Sequence, residues 1–109
     1  MRKILLVDND ITFIWGLKKY LQRRGYAVET AATLAEAREM IKQEAPLLIC
    51  SDLCLPDGSG LELLAEVRTC NKDTPFIIAS CYEKDDYEQE ALQHGVTICM
   101  DKIKSALLK

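Results

Sequence analysis

The sequence predicts an α/β fold in which a five-stranded, doubly wound parallel sheet carries helices on both faces. Two observations predict it: short apolar runs recur along the chain, and the segments between them have apolar residues spaced at about 3.6. Strands that alternate with helices form right-handed βαβ units and therefore a parallel sheet. Because the 109 residues are 49% hydrophobic, one shared core is expected, with a single domain and no output domain over residues 1–109.

Four of the five predicted strands are mainly apolar, which is typical of strands covered on both faces. A more polar strand is expected nearer an edge of the sheet. In chain order, the predicted strands are 4–7, 26–30, 47–50, 76–79 and 96–100. We expect the doubly wound strand order 2-1-3-4-5 for this arrangement.

The segments between the strands predict four helices. Their stripes are Ile14, Leu17 and Leu21, then Leu34, Ala37 and Ile41, then Leu61, Leu64 and either Val67 or Arg68, and finally Tyr87 and Ala91. Capping boxes at Thr33–Glu36 and Ser59–Glu62 indicate where two helices begin. Gly25 and Gly95 stand where helix C-termini need a left-handed residue. A shortened last helix of about two turns is expected over Ile103–Lys109.

The composition argues against several classes of protein. The formal net charge of −3 provides no basic surface, so direct nucleic-acid binding is not expected. No run approaches the roughly 20 apolar residues that span a bilayer, so we expect a cytoplasmic protein without membrane contact. Five cysteines without a C-x-x-C pair indicate reduced thiols, which we expect to be small apolar core residues.

Polar side chains stand where the predicted strands end. Asp8, Asn9 and Asp10 follow the first strand, Asp52 ends the third, Ser80 ends the fourth and Lys102 follows the fifth. These strand ends meet at one edge of a parallel sheet, where ligands bind. Carboxylate and amide oxygens suit Mg²⁺, and a carboxylate can itself form an aspartyl phosphate. An ammonium and a hydroxyl would stabilise the phosphoryl oxygens, so the pattern predicts a phosphoryl-accepting site.

Two segments carry a resemblance to a known family. Ile4–Asp8 and Ser51–Leu63 resemble the first strand and the phosphoacceptor segment of bacterial two-component response-regulator receiver domains. The similarity extends from Arg2 to about Lys104. It implies a flavodoxin-like receiver fold and a protein that is a phosphoryl acceptor rather than an enzyme with a separate substrate.

The resemblance also implies roles for individual residues. Asp52 would take the phosphoryl group from a histidine kinase or phosphotransfer protein, and Ser80 and Lys102 would respond to it. Mg²⁺ would be held by Asp8, Asn9, Asp52 and the backbone carbonyl of Cys54. The output would pass to an unknown downstream protein, and a homodimer is one further arrangement that the family allows.

Two departures from the family pattern leave an alternative open. Asn9 stands where the family usually has a second carboxylate, which weakens the expected Mg²⁺ site, and Cys99 replaces a common aromatic switch residue. The chain is therefore either a phosphorylated receiver or a pseudo-receiver, an interaction module that does not switch by Mg²⁺-dependent phosphorylation. A flavodoxin-like electron carrier fits poorly, because carboxylates after the first strand would repel its phosphate-bearing cofactor.

Overall fold

Five parallel strands form the central sheet of the computed structural model, which describes residues 2–81 and 84–102. The strands are β1 (Ile4–Val7), β2 (Val28–Ala31), β3 (Leu48–Ser51), β4 (Phe76–Ser80) and β5 (Ile98–Asp101). Their order in the sheet is β2-β1-β3-β4-β5, which confirms the predicted topology. Among the described residues, no helix is both long enough and apolar enough to cross a membrane.

Four helices connect the strands. They are α1 (Ile11–Arg23), α2 (Leu34–Gln43), α3 (Gly60–Cys70) and α4 (Glu88–Gln93), and a 3₁₀ turn at Lys84–Asp86 precedes α4. A short antiparallel hairpin, made of Cys54–Leu55 and Gly58–Ser59, lies between β3 and α3. The last helix predicted over Ile103–Lys109 lies outside the described residues.

Two strands, β2 and β5, begin two residues later than the sequence predicts, because the amides of their first predicted residues bond to the preceding helix. Gly25 and Gly95 adopt φ values of 91° and 85°, as predicted for helix C-termini. The next amides, of Tyr26 and Val96, donate to carbonyls in the last turns of α1 and α4 at 3.2 and 3.0 Å. These bonds close the helix ends, so the strand pairing starts only at Val28 and Ile98.

The N-terminus of α2 is capped from two parts of the chain. The Thr33 hydroxyl accepts from the amide of Glu36, as predicted, while the Glu36 carboxylate accepts from Ala32 rather than from Thr33. Asp57 in the hairpin accepts from the amides of Leu34 and its neighbour at 2.8 and 3.0 Å. These hydrogen bonds lower the pKa of Asp57 and tie the hairpin to α2.

Two apolar layers cover the sheet. The larger lies under α2, α3 and α4, and its buried centre includes Leu34, Ile49, Leu64 and Phe76. The smaller lies under α1 and includes Ile4, Leu6, Cys50 and Ala79. Both faces of the central strands are therefore buried, as their apolar runs predicted.

The cysteines are less buried than predicted. Cys50 is in the core, where burial raises its pKa to about 12, and Cys99 is partly buried. Cys54, Cys70 and Cys81 are exposed, so the expectation of core residues is wrong for these three. They lie in the hairpin, at the end of α3 and just after β4. These positions are all outside the strands of the central sheet.

Gly60 allows α3 to start directly against the end of β3. A Cβ on Gly60 would overlap the carbonyl oxygen of Asp52 and lie 2.9 Å from Oγ of Ser51. The Gly60 amide donates to the carbonyl of Leu53 at 2.8 Å, and the Ser59 hydroxyl accepts from the Leu61 amide rather than from Glu62. This close approach fixes the backbone at Asp52.

Gly60→Ala should destabilise the protein by about 1–3 kcal/mol, because the added methyl group overpacks the end of β3. Gly16→Ala is the matched control, since nothing lies within 4 Å of a Cβ at that exposed position in α1. It should stabilise the protein by roughly 0.5–1 kcal/mol through helix propensity. Urea unfolding measures both, and equal effects of the two substitutions would contradict this account of Gly60.

Candidate functional site

Asp8 stands at the end of β1 with its carboxylate turned into the protein. Its amide donates to the carbonyl of Ala31 at 2.9 Å, which extends the pairing with β2 by one bond. Its Oδ1 accepts from the amide of Asp10 at 2.9 Å, and the residue is 5% exposed. The sheet and the turn into α1 together fix the direction of this carboxylate.

Asp52 stands at the end of β3, beside Asp8. Its amide donates to the carbonyl of Val7 at 2.8 Å, and its Oδ1 accepts from the amide of Leu53 at 2.8 Å. The Ser51 hydroxyl donates to the backbone carbonyl of Asp52 at 2.9 Å. The side chain of Asp52 is 15% exposed, compared with 3% for Asp8.

Lys102, directly after β5, completes a charged cluster of Asp8, Asp52 and Lys102. Its Nζ lies 2.6 Å from Oδ2 of Asp8 and 3.7 Å from Oδ1 of Asp52. It also lies 4.5 Å from the centroid of the Phe13 ring. The structure thus brings together three of the residues that the sequence nominated.

Burial and the charges in this cluster shift the pKa values of two members. Burial and then the Asp8 charge raise the pKa of Asp52, against the opposing effects of Lys102 and the Leu53 amide. Burial alone would lower the pKa of Lys102, but the hydrogen bond to Asp8 and the charges of Asp8 and Asp52 outweigh it and raise the pKa. The cluster carries two negative charges and one positive charge.

The other nominated residues lie at the same edge of the sheet with different exposure. Asn9 is exposed and lines, with Asp8, a cleft of about 270 Å³. Ser80 is fully buried at the end of β4, and Cys54 is exposed in the hairpin. Asp10 caps α1 by accepting from the Phe13 amide at 3.2 Å.

A family comparison agrees with this geometry. The model of the response regulator receiver domain matches residues 4–107, which is nearly the whole chain. The chain belongs to this family. It is a receiver domain of the response regulators of two-component systems.

Individual relatives show how far the similarity extends. The photosynthetic apparatus regulatory protein RegA from Cereibacter sphaeroides is 31% identical over 101 residues, which are 93% of this chain and 55% of RegA. The acid tolerance regulatory protein ActR from Rhizobium meliloti is 36% identical over 81 residues, which are 74% of this chain and 42% of ActR. The receiver domain therefore spans about half the length of these curated relatives.

Two solved structures superpose well on this receiver domain. A response regulator from Burkholderia pseudomallei, with a phosphorylated aspartic acid, calcium ion and citrate, has a TM-score of 0.86 and 28% identity, covering 98% of this chain and 65% of that chain. The response regulator TrrA from Thermotoga maritima, in complex with Mg²⁺ and BeF, has a TM-score of 0.82 and 29% identity, covering 94% of this chain and 87% of that one.

The donor set suits Mg²⁺ better than a transition metal. The described residues contain no group of three or more His, Cys, Asp or Glu side chains that could hold a metal ion by itself. Mg²⁺ needs only one or two protein carboxylates, because it keeps several waters and shares phosphate oxygens. Asp8 and Asp52 meet that need, and Asn9 can add an amide oxygen.

Three residues that shape the site were missed from the sequence. The Ser51 hydroxyl donates to the backbone carbonyl of Asp52, Gly60 packs against the same carbonyl, and Phe13 contacts Lys102. The first two stand in the segment that resembles the family, so its pattern could have identified them. The contact of Phe13 with Lys102 depends on the packing of α1 across the strand ends, which no local pattern encodes.

Asp52→Asn should raise the free energy of unfolding at neutral pH. Because the folded protein raises the pKa of Asp52, its ionised form costs stability above the ordinary aspartate pKa of 3.8. The gain should shrink as the pH falls through the raised pKa towards 3.8, since Asp52 is then protonated in the wild type too. Urea unfolding at a series of pH values measures this dependence.

Asp73→Asn is the control, because Asp73 is an exposed aspartate in the loop after α3. It should leave the free energy of unfolding unchanged across the series. If Asp52→Asn is less stable than the wild type at neutral pH, the assignment of a net electrostatic cost to Asp52 is wrong.

Proposed function

We propose that this receiver domain accepts a phosphoryl group on Asp52 and acts in two-component signal transduction through protein contacts. One observation carries the proposal: a reachable carboxylate lies beside a second carboxylate and 3.7 Å from a buried ammonium. Phosphoryl transfer depends mainly on positioning and on positive charge around the transferred group. The charged cluster offers both requirements at a single edge of the sheet.

The proposed reaction uses the positions of these groups. A carboxylate oxygen of Asp52 attacks the phosphorus of the donor, an O–P bond forms, and the bond from phosphorus to the donor's leaving atom breaks. Lys102 moves from Asp8 towards the new phosphoryl oxygens, and the Ser80 hydroxyl donates to one of them. When bound, Mg²⁺ supplies further positive charge to the same oxygens.

The proposed donor is a histidine kinase or a phosphotransfer protein, and a small acyl phosphate can replace it in vitro. The proposed output is a contact with a downstream protein. Support comes from the regulatory relatives and from the phosphorylated aspartic acid in the Burkholderia pseudomallei structure. The receiver domain modifies itself and acts on no separate substrate.

A pseudo-receiver is the second candidate, and the composition of the metal pocket favours it. Asn9 contributes no charge, and Lys102 already neutralises part of the Asp8–Asp52 pair at 2.6 Å from Asp8. Both features reduce the attraction for a divalent cation. A protein of this kind would bind its partners without a phosphorylation switch.

Incubation with Mg²⁺ and acetyl phosphate should add one phosphoryl group to the wild type and none to Asp52→Asn, as measured by intact-protein mass spectrometry. Asp57→Asn is the matched control, because this exposed aspartate caps α2 from the hairpin, and it should be modified like the wild type. No modification of the wild type at saturating Mg²⁺ would support the pseudo-receiver instead.

Asn9→Asp should lower the Mg²⁺ concentration for half-saturation at least about tenfold. A new unit charge about 4 Å from a cation contributes several kcal/mol at an effective dielectric near 20, of which desolvation and screening remove a part. Titration calorimetry or amide chemical shifts of residues 8–10 measure the binding. Gln43→Glu, which adds the same charge at the end of α2 and the opposite edge of the sheet, should change it little. Equal affinities of Asn9→Asp and wild type would remove Asn9 from the metal pocket.

A further inference from the structure

We propose that Phe13 is a positioning residue for Lys102. Its ring holds the ammonium beside the two carboxylates, and the ring contact is retained when the ammonium moves towards a phosphoryl group. The Nζ of Lys102 lies 4.5 Å from the centroid of the ring. A cation within about 6 Å of an aromatic centroid is attracted by the negative face of the ring. The consequence for phosphoryl transfer rests on the proposed function of Asp52.

The ring is held in place independently of Lys102. Phe13 lies in the first turn of α1, and its amide donates to the Asp10 carboxylate that caps this helix at 3.2 Å. Its side chain packs against the apolar layer that contains Ile4 and Leu6. Backbone and side chain are therefore both anchored, and the ring is a fixed surface rather than a loose contact.

Lys102 needs this additional contact because it is almost fully buried. Its side chain is 7% exposed, and its ammonium has three N–H donors to satisfy. Asp8 lies at 2.6 Å, whereas Asp52 at 3.7 Å is beyond hydrogen-bonding distance, and the neighbouring Asn9 offers no charge. Within the charged cluster, the ammonium therefore has only one carboxylate within hydrogen-bonding distance, and the ring supplies a further attraction.

The position of the ring also suits the movement that phosphorylation requires. A shift of about 1 Å brings Nζ from 3.7 Å to hydrogen-bonding distance of Oδ1 of Asp52. Such a shift leaves Nζ within the range of a cation–π contact, which extends to about 6 Å. Phe13 therefore retains the ammonium in both positions, whereas an aliphatic side chain of similar size fills the space without attracting the charge.

The contact itself can be tested without phosphorylation. In the wild type, the Cε protons of Lys102 should resonate upfield of the other lysines in a ¹³C–¹H NMR spectrum, because Cε is bonded to the Nζ that lies over the ring. Phe13→Leu should abolish this displacement, and Phe13→Tyr should retain it. Leu17→Val, a change in the same apolar layer one turn along α1, is the control that should leave it unchanged. Unchanged Lys102 signals in Phe13→Leu would overturn the proposal.

The effect on the reaction is tested by the rate of phosphorylation by acetyl phosphate. Phe13→Leu should slow the wild-type reaction about three- to tenfold, and Phe13→Tyr should restore most of the rate. In a Lys102→Met background, Phe13→Leu should have no further effect, because its influence acts through the ammonium. An equal slowing in both backgrounds would show that Phe13 serves only packing and would overturn the positioning role.

Failure of the proposed function is distinguishable from failure of this inference. If the wild type is not phosphorylated at all, the proposed function fails, and the NMR comparison alone decides whether Phe13 holds Lys102. Loss of the upfield displacement in Phe13→Leu then supports the contact, and its persistence overturns it.

Discussion

The site depends on one buried ammonium shared by two carboxylates. Lys102 lies 2.6 Å from Asp8 and 3.7 Å from Asp52, and none of the three is more than slightly exposed. Buried charges are costly unless they are paired, and one ammonium compensates only part of the cost of two carboxylates. Asp52 is the more exposed of the two carboxylates and has the longer distance to Lys102, so it is the carboxylate better placed to react.

The sheet supplies this arrangement through its register. Val7 pairs with Ser51 and Ser80 pairs with Asp101, so Asp8, Asp52 and Lys102 each follow directly on a residue that is fixed in the ladder. A slip of one residue in any of these strands would turn its side chains to the other face of the sheet. Gly60 adds to this constraint, because α3 packs against the carbonyl of Asp52 without an intervening side chain.

The strand order and the position of Asp52 could be predicted because they follow from local composition. Apolar runs mark buried strands, and carboxyl ends of parallel strands meet at one edge. The starts of β2 and β5 could not be predicted, because the amides of Tyr26 and Val96 complete the preceding helices instead of the sheet. The contact of Phe13 with Lys102 was also out of reach, since it joins residues from opposite ends of the described chain. The exposed cysteines were mispredicted because residue type alone does not say whether a thiol at the end of a strand or helix faces the core.

A crystal structure with Mg²⁺ and beryllofluoride, a mimic of a phosphoryl group, tests the central claim most directly. We expect beryllium bonded to an Asp52 oxygen and the Lys102 Nζ moved away from Asp8 to contact a fluoride, with Phe13 still beneath it. A structure in which Asp52 carries no beryllofluoride and Lys102 remains 2.6 Å from Asp8 would contradict the assignment of this cluster as a phosphoryl-accepting site.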